Sequence, residues 1–168
     1  MAVNTLALSA ENTTIAVFDT AEEALRAMAL LASSGFDPAQ LSAAAMHDPR
    51  SEYAYVNRGD HVRYYGTAAA CWREMWGRLT GWAFVSTPGI GPVVVAGPLA
   101  AWMVTALDNA SLFADLSVVG AALYSMGVPK KDIWCYEVAL QSGKVLLIAH
   151  GGSSDVSRAR QVLQEWAA

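Results

Sequence analysis

The sequence predicts an α+β fold. A small sheet is formed by a β-α-β unit at the start of the chain and an α-β-α unit at its end, with a long apolar helical hairpin inserted between them. Both ends pair a short apolar, strand-like run with an amphipathic stretch of helical period. The middle, from Leu79 to Leu107, contains no charged residue. At 168 residues the chain has the length of one domain, 1–168.

The β-α-β unit begins with a strand over Thr13–Phe18, because TTIAVF is rich in β-branched residues. Thr20 followed by Glu23 is a capping box and predicts that a helix starts there. Gly35 marks the end of that helix, and a second strand follows over Leu41–Met46.

The next segment, 48–66, is polar and rich in tyrosine, and we expect it to be an insertion that forms either a loop or a β-hairpin. A helix is predicted from Thr67 onward, because Cys71, Met75 and Leu79 recur at helical spacing. This helix leads into the uncharged segment, so that 67–127 forms the inserted helical hairpin region.

The uncharged segment is long enough to cross a bilayer, but a Pro-Gly-Ile-Gly-Pro sequence at 88–92 argues against one straight helix. We therefore predict two apolar helical arms folded back on each other. They must be buried in a homo-oligomer, in the chain's own core or in lipid, and we favour the homo-oligomer. The predicted interface residues are Trp82, Pro88, Gly89, Ile90, Gly91, Pro92, Val94, Ala96, Gly97, Leu99 and Trp102.

The α-β-α unit follows an apolar helical stretch from about Ser111 to Met126. Pro129 suits the first turn of the next helix, and Gly143 ends that helix. The run from Lys144 to Ala149 predicts a strand. A last amphipathic helix then buries four apolar side chains: Val156, Ala159, Leu163 and Trp166.

Composition narrows the range of partners and compartments. The chain is 54% hydrophobic and 15% charged, which favours an oligomer or contact with a membrane, and its formal net charge of −4 argues against nucleic acid. Cys71 and Cys135 are too few for a disulfide framework, and no cysteine or histidine pair has zinc-site spacing, so neither a metal nor another cofactor is predicted. The N-terminal residues lack the features of a signal peptide. We expect a cytoplasmic protein, with association at a membrane as the alternative.

One weak ligand-site candidate precedes the last helix, where His150, Gly151, Gly152 and Ser153 could present backbone N–H groups to an anion. Asp155 already occupies the positive end of that helix, so a tight strand-to-helix connection is the simpler interpretation. Glu137, expected to be partly buried, is the other candidate. Together with His150 it would mark a pocket between the sheet and the hairpin.

The order of these elements resembles the bacterial heat-induced or general stress protein family over roughly 14–163. The most specific matches are PGIGP at 88–92 and AGPL at 96–99. The resemblance implies a ferredoxin-like sheet with a Gly/Ala-rich helical hairpin, and it carries no catalytic residues to transfer. Trp72, Trp76, Trp82 and Trp102 stand where that family has small residues.

From this resemblance and the apolar hairpin, the expected function is that of a non-enzymatic, self-associating protein of the stress type, with the hairpin as its assembly surface. A peripheral membrane protein that inserts the hairpin into lipid is one alternative. A small-molecule binding module or enzyme is the other.

Overall fold

The computed structural model describes residues 11–46, 54–57, 61–64, 74–75, 77–79, 81–87, 89–108 and 115–167, with only the backbone described at 54–57, 61–64 and 82–84. The strands are β1 (Thr13–Phe18), β2 (Leu41–Met46), β3 (Ala54–Asn57), β4 (His61–Tyr64), β5 (Trp82–Thr87), β6 (Gly91–Ala96) and β7 (Val145–His150). The helices in this part of the chain are α1 (Ala21–Ser33), α2 (Leu99–Asp108), α3 (Val118–Ser125), α4 (Lys130–Gln141) and α5 (Ser153–Ala167), and a 3-10 turn spans Pro38–Gln40.

The fold is α+β, with a five-stranded antiparallel sheet in the order β1-β7-β2-β6-β5. The last strand in sequence, β7, lies between β1 and β2 and is antiparallel to both. The two ends of the chain therefore build one side of the sheet together. The β5–β6 hairpin extends the other side by pairing β6 with β2.

Helices cover both faces of the five-stranded sheet, which explains why its strands are mostly apolar rather than alternating. On one face, α1 and α5 pack against side chains such as Phe18, Leu41 and Leu147. On the other face, α2, α3 and α4 pack against Ile15, Val95 and neighbouring side chains. Alternate side chains point to opposite faces of a strand, so a sheet with two covered faces needs apolar residues at nearly every position. The low charge content of the chain follows from this arrangement.

The predicted helical hairpin is wrong over 82–96, where the structure has two antiparallel strands, β5 and β6. Within the described part of the uncharged segment, the helix begins after Pro98 and is α2. The β-branched run Val93–Val95 favours a strand, and a short apolar run that is buried on all sides has no period that separates strand from helix. Gly89 and Gly91 adopt φ angles of 84° and 110°, which a chain reversal uses and a helix does not.

The predicted strands and the capping box at the ends of the chain are confirmed, whereas Trp166 is only partly buried and the helix predicted from about Ser111 begins at Val118 in the described residues. The strands β1 and β2 have the predicted bounds, and β7 begins one residue later than expected. The side chain of Thr20 accepts a hydrogen bond from the N–H of Glu23, and Glu23 in turn accepts one from Asp19, as a capping box requires. In the 48–66 insertion, the backbones of β3 and β4 pair as an antiparallel ladder.

A close backbone approach fixes the connection from β6 to α2. Gly97 has a φ of 90°, and a Cβ atom there would meet the Leu41 carbonyl oxygen and lie 2.8 Å from the Cα of Ser42. The buried hydroxyl of Ser42 accepts a hydrogen bond of 2.9 Å from the N–H of Leu99. The first N–H groups of a helix need acceptors, so Ser42 of β2 caps α2. The same strand passes close to the chain reversal at Gly97.

Replacing Gly97 with alanine tests this close approach. We expect Gly97→Ala to lower the free energy of unfolding by about 3 kcal/mol or more, because a left-handed φ and a backbone clash combine. Gly143→Ala is the matched control: Gly143 has a φ of 79°, but no heavy atom outside its chain neighbours lies within 4 Å of its Cβ position. That change should cost only about 1 kcal/mol. Equal losses for the two variants in urea titrations would contradict the proposed packing.

A second prediction concerns Thr87, which is 1% exposed and whose hydroxyl has no hydrogen-bond partner among the described residues. Valine has nearly the same shape without the polar atom. We expect Thr87→Val to raise the free energy of unfolding by about 1 kcal/mol, since burying an unpaired hydroxyl is unfavourable. A clear loss of stability in the same titration would show that the hydroxyl has a partner.

Candidate functional site

The predicted interface residues do not form one surface. Four of them are buried within the chain's own core: Val94, Ala96, Gly97 and Leu99. Five are partly or fully accessible: Gly89, Ile90, Gly91, Pro92 and Trp102. The side chain of Trp82 and all of Pro88 lie outside the described residues. The buried residues stabilise the monomer, so the accessible ones alone remain available to an outside partner.

The predicted anion site at the start of α5 is a tight connection between β7 and the helix. The Gly151 N–H donates to the Asn12 carbonyl over 3.1 Å, and a Cβ atom on Gly151 would collide with the side chain of Gln40. In the first turn of α5, Asp155 lies near the unpaired N–H groups and forms an ion pair with Arg158. The geometry thus matches the simpler interpretation of this segment.

His150 belongs to a hydrogen-bonded group at the end of β7. The Thr13 hydroxyl donates to the Met126 carbonyl over 2.5 Å, so its oxygen accepts from Nδ1–H of His150 at 2.8 Å. The Trp102 ring meets the imidazole edge to face, with centroids 6.0 Å apart. Burial lowers the pKa of His150 below its usual value, and the Asn12 carbonyl raises it to a smaller extent. The imidazole is therefore neutral near pH 7.

The structure does not bring His150 and Glu137 together. His150 is the last residue of β7, at the end that pairs with Leu41, whereas the β5–β6 turn lies beyond Met46, at the other end of β2. At ~3.3 Å per residue the two ends of the sheet are roughly 20–25 Å apart. Glu137 lines a cavity next to the β5–β6 turn, and none of His150–Ser153 lines it.

That cavity has a volume of about 480 Å³ and is open to solvent on one side. It lies where the β5–β6 turn, the start of α3 and the outer side of α4 meet. Its lining residues are Gly89, Ile90, Asp115, Leu116, Ser117, Val118, Trp134, Glu137, Val138 and Gln141. The volume falls within the range of ~300–1,000 Å³ that small-molecule sites occupy.

Glu137 is held in the cavity by the start of α3. The Ser117 hydroxyl donates to Oε1 of Glu137 and accepts a 2.9 Å hydrogen bond from the Gly120 N–H as the N-cap of the helix. A Cβ atom on Gly120 would lie 2.7 Å from that carboxylate oxygen and 2.9 Å from Cγ2 of Ile133, so a side chain at this position would displace them. A serine, a glycine and a glutamate from two helices thus fix one carboxylate at the cavity wall.

Apolar side chains form the rest of that wall. Trp134 lies three residues before Glu137 on α4, on the same side of the helix, and is 69% exposed. Val138 and Ile90 contribute further apolar surface. An indole that is this exposed keeps most of its surface available for contact with a ligand.

At the rim of the cavity, an ion pair and a side-chain hydrogen bond link neighbouring segments. Lys130 pairs with Asp115, and this hydrogen bond holds the pKa of the Asp115 carboxyl below its usual range, so the carboxylate is ionised at neutral pH. Gln141 donates from Nε2 to the Gly89 carbonyl over 2.6 Å and ties the end of α4 to the β5–β6 turn. The two sides of the cavity are therefore linked directly.

The sequence pointed to Glu137 but not to Trp134, Ser117 or Gly120. A usable signal was present: a glycine inside the apolar helical run marks a close approach, and Ser117 three residues earlier is a typical cap. Their joint contact with Glu137 spans 20 residues and becomes visible only after α3 packs on α4.

Comparison with known proteins places the chain in no family: no protein-family model, no curated protein and no solved structure matches it. Within the described residues, no helix has both the length and the apolar character that crossing a bilayer requires. No cluster of three or more histidine, cysteine, aspartate or glutamate residues in that part of the chain could hold a metal ion.

The lowered pKa of His150 predicts a pH dependence of stability. In the unfolded chain the imidazole has its ordinary pKa near 6.5, so below that pH the unfolded state binds more protons than the native state. The contribution of His150 to the free energy of unfolding should be fully present above about pH 6.5. It should be lost as the pH falls toward the lowered pKa that His150 has in the native state. His150→Gln removes the titrating group.

The check is the free energy of unfolding of both proteins between about pH 8 and pH 5. We expect the wild type to lose stability relative to His150→Gln below about pH 6.5. Parallel curves, or a relative gain by the wild type, would mean that burial does not disfavour the imidazolium form.

Proposed function

We propose that this protein is a non-enzymatic binding module that takes up a small molecule in the cavity between the β5–β6 turn, the start of α3 and α4. The observation that carries the proposal is the pairing of a positioned carboxylate, Glu137, with the 69% exposed indole of Trp134 in a cavity of ligand size. Ligand sites combine apolar and aromatic walls with a few well-placed polar groups, and this cavity has both.

A binding role is favoured over catalysis because Ser117, the hydroxyl nearest to Glu137, is fully engaged. Its hydrogen goes to the carboxylate and its oxygen accepts the Gly120 N–H. A nucleophilic serine needs an oxygen that is free to attack substrate, and this oxygen caps a helix instead. The side chain therefore acts as a brace for Glu137.

The ferredoxin-like classification and the resemblance to general stress proteins stay predictions. The ferredoxin-like classification has support from β7, which lies between β1 and β2 and is antiparallel to both. The resemblance to general stress proteins rests on PGIGP at 88–92, where Gly89 and Gly91 have the positive φ angles that this motif would need in a turn.

A fragment screen on protein labelled with 5-fluorotryptophan tests the binding proposal, because each indole then gives its own fluorine resonance. The Trp134 signal is assigned with Trp134→Phe. We expect a subset of fragments to shift this resonance saturably. Trp134→Ala, in which binding is followed on the signals of the fragments themselves because the reporter indole is absent, should weaken their binding by at least about tenfold. Tyr124→Ala, which truncates another exposed aromatic residue away from the cavity, should leave binding unchanged. A screen in which no fragment shifts Trp134 at millimolar concentration would contradict the proposal.

Self-association is the second candidate function, and the outer side of α2 favours it. This helix contains one charged residue, Asp108, at its last position. Val104 and Leu107 on its outer side are 54% and 48% exposed. Exposed apolar side chains concentrated on one helix are typical of a contact surface for a second copy of the chain or for lipid.

Sedimentation analysis of Val104→Glu/Leu107→Glu tests the second candidate. A discrete oligomer that the double variant converts to monomer would support assembly through α2. A control variant, Gln161→Glu on the exposed side of α5, should leave the oligomer unchanged. If the wild type is monomeric but sediments with phospholipid vesicles, and the double variant does not, the surface binds a membrane rather than a second copy.

A further inference from the structure

Resting on the proposed binding function, we infer that the ligand of the Glu137–Trp134 cavity is an organic cation, an ammonium or amidinium group attached to a flat or apolar body. The inference rests on three observations: the charge balance of the cavity, the carboxylate oxygen of Glu137 that accepts no hydrogen bond from the described residues, and the position of the indole beside it.

The described lining of the cavity carries negative charge and no basic side chain. The ten lining residues that the structure describes include two carboxylates, Asp115 and Glu137, and no lysine or arginine. Asp115 is already paired with Lys130 at the rim. Glu137 has no basic partner among the described residues, although it is half-buried. Partial burial of an unpaired carboxylate is unfavourable, and a cationic ligand would offset that cost.

The second oxygen of Glu137 is available to a ligand. Oε1 accepts from Ser117, and the described part of the chain supplies no donor to Oε2. A carboxylate oxygen offers two lone pairs, so Oε2 can accept two charge-assisted hydrogen bonds from N–H groups of a bound cation. A divalent metal ion fits less well, because it would need several oxygen ligands and the other carboxylate is held by Lys130.

Trp134 provides the complementary surface for such a ligand. It precedes Glu137 by one turn of α4, so the indole face and the carboxylate are neighbours on the helix surface. Tryptophan is the side chain whose ring attracts cations most strongly. Val138 and Ile90 extend this side with apolar contacts for the ligand's body. An anionic ligand would meet an electron-rich ring and a carboxylate, and both would repel it.

Three probes of nearly the same shape and different charge test the inference: benzamidine, benzamide and benzoate. Their binding is followed on the 5-fluorotryptophan resonance of Trp134 in the full-length protein at low ionic strength, where attraction between charges is least screened. We expect benzamidine to bind at least about tenfold more tightly than benzamide, which equals about 1.4 kcal/mol, and benzoate to bind most weakly.

Glu137→Gln is the decisive variant, since its amide oxygen can still accept from Ser117 while the charge is lost. It should keep the thermal midpoint close to that of the wild type and abolish the preference for benzamidine over benzamide. Glu165→Gln on α5 makes the same change in net charge away from the cavity and should preserve the preference.

The outcomes separate the inference from the proposed function beneath it. Equal or tighter binding of benzamide or benzoate at Trp134 would overturn the cation inference and leave a ligand site in place. Retention of the benzamidine preference in Glu137→Gln would also overturn it. Absence of any effect of the three probes at millimolar concentration would overturn it as well, and the fragment screen then decides whether the cavity binds ligands at all.

Discussion

The structure depends on one constraint: both faces of a five-stranded sheet must be covered by a chain of 168 residues. Two helices from the ends of the chain cover one face, and α2, α3 and α4 cover the other. The second layer can form only if the chain reverses sharply after β6. Gly97 and Ser42 make that reversal possible, because one lacks a side chain where β2 passes and the other caps the new helix. Much of the uncharged middle of the chain is therefore used inside the monomer.

The candidate site results from the packing of α3, α4 and the β5–β6 turn at one edge of the helical layer that α2, α3 and α4 form. Helices α3 and α4 pack closely at Gly120, which leaves space for the Glu137 carboxylate, and Gln141 ties α4 to the β5–β6 turn. The cavity forms at the junction of these three segments. The hydrogen bond from Ser117 positions the Glu137 carboxylate before a ligand arrives, which reduces the entropic cost of binding. The exposed side of α2 contributes none of the described lining residues of this site.

The ends of the chain were predictable because their signals are local. A β-branched run, a capping box at Thr20 and Glu23, and an amphipathic last helix each specify an element without reference to the rest of the fold. The secondary structure of the middle of the chain was not predictable, because lack of charge indicates burial but does not separate a buried strand from a buried helix. Glu137 was identifiable as a partly buried acid. The separation of Glu137 from His150 was not identifiable from the sequence, because it depends on the register of β7 and β6 against β2.

The central claim is that 82–96 is a β-hairpin inside the monomer's sheet and forms one wall of the cavity, rather than a pair of helical arms. Backbone NMR of the isotope-labelled protein tests this claim most directly. The account predicts strand-type chemical shifts over 91–96 and cross-strand NOEs that link Val94 to Ala45 and Val93 to Val85, which are register partners. Helical shifts in this segment, with no NOEs to β2, would contradict the account and return the apolar segment to an assembly or lipid surface.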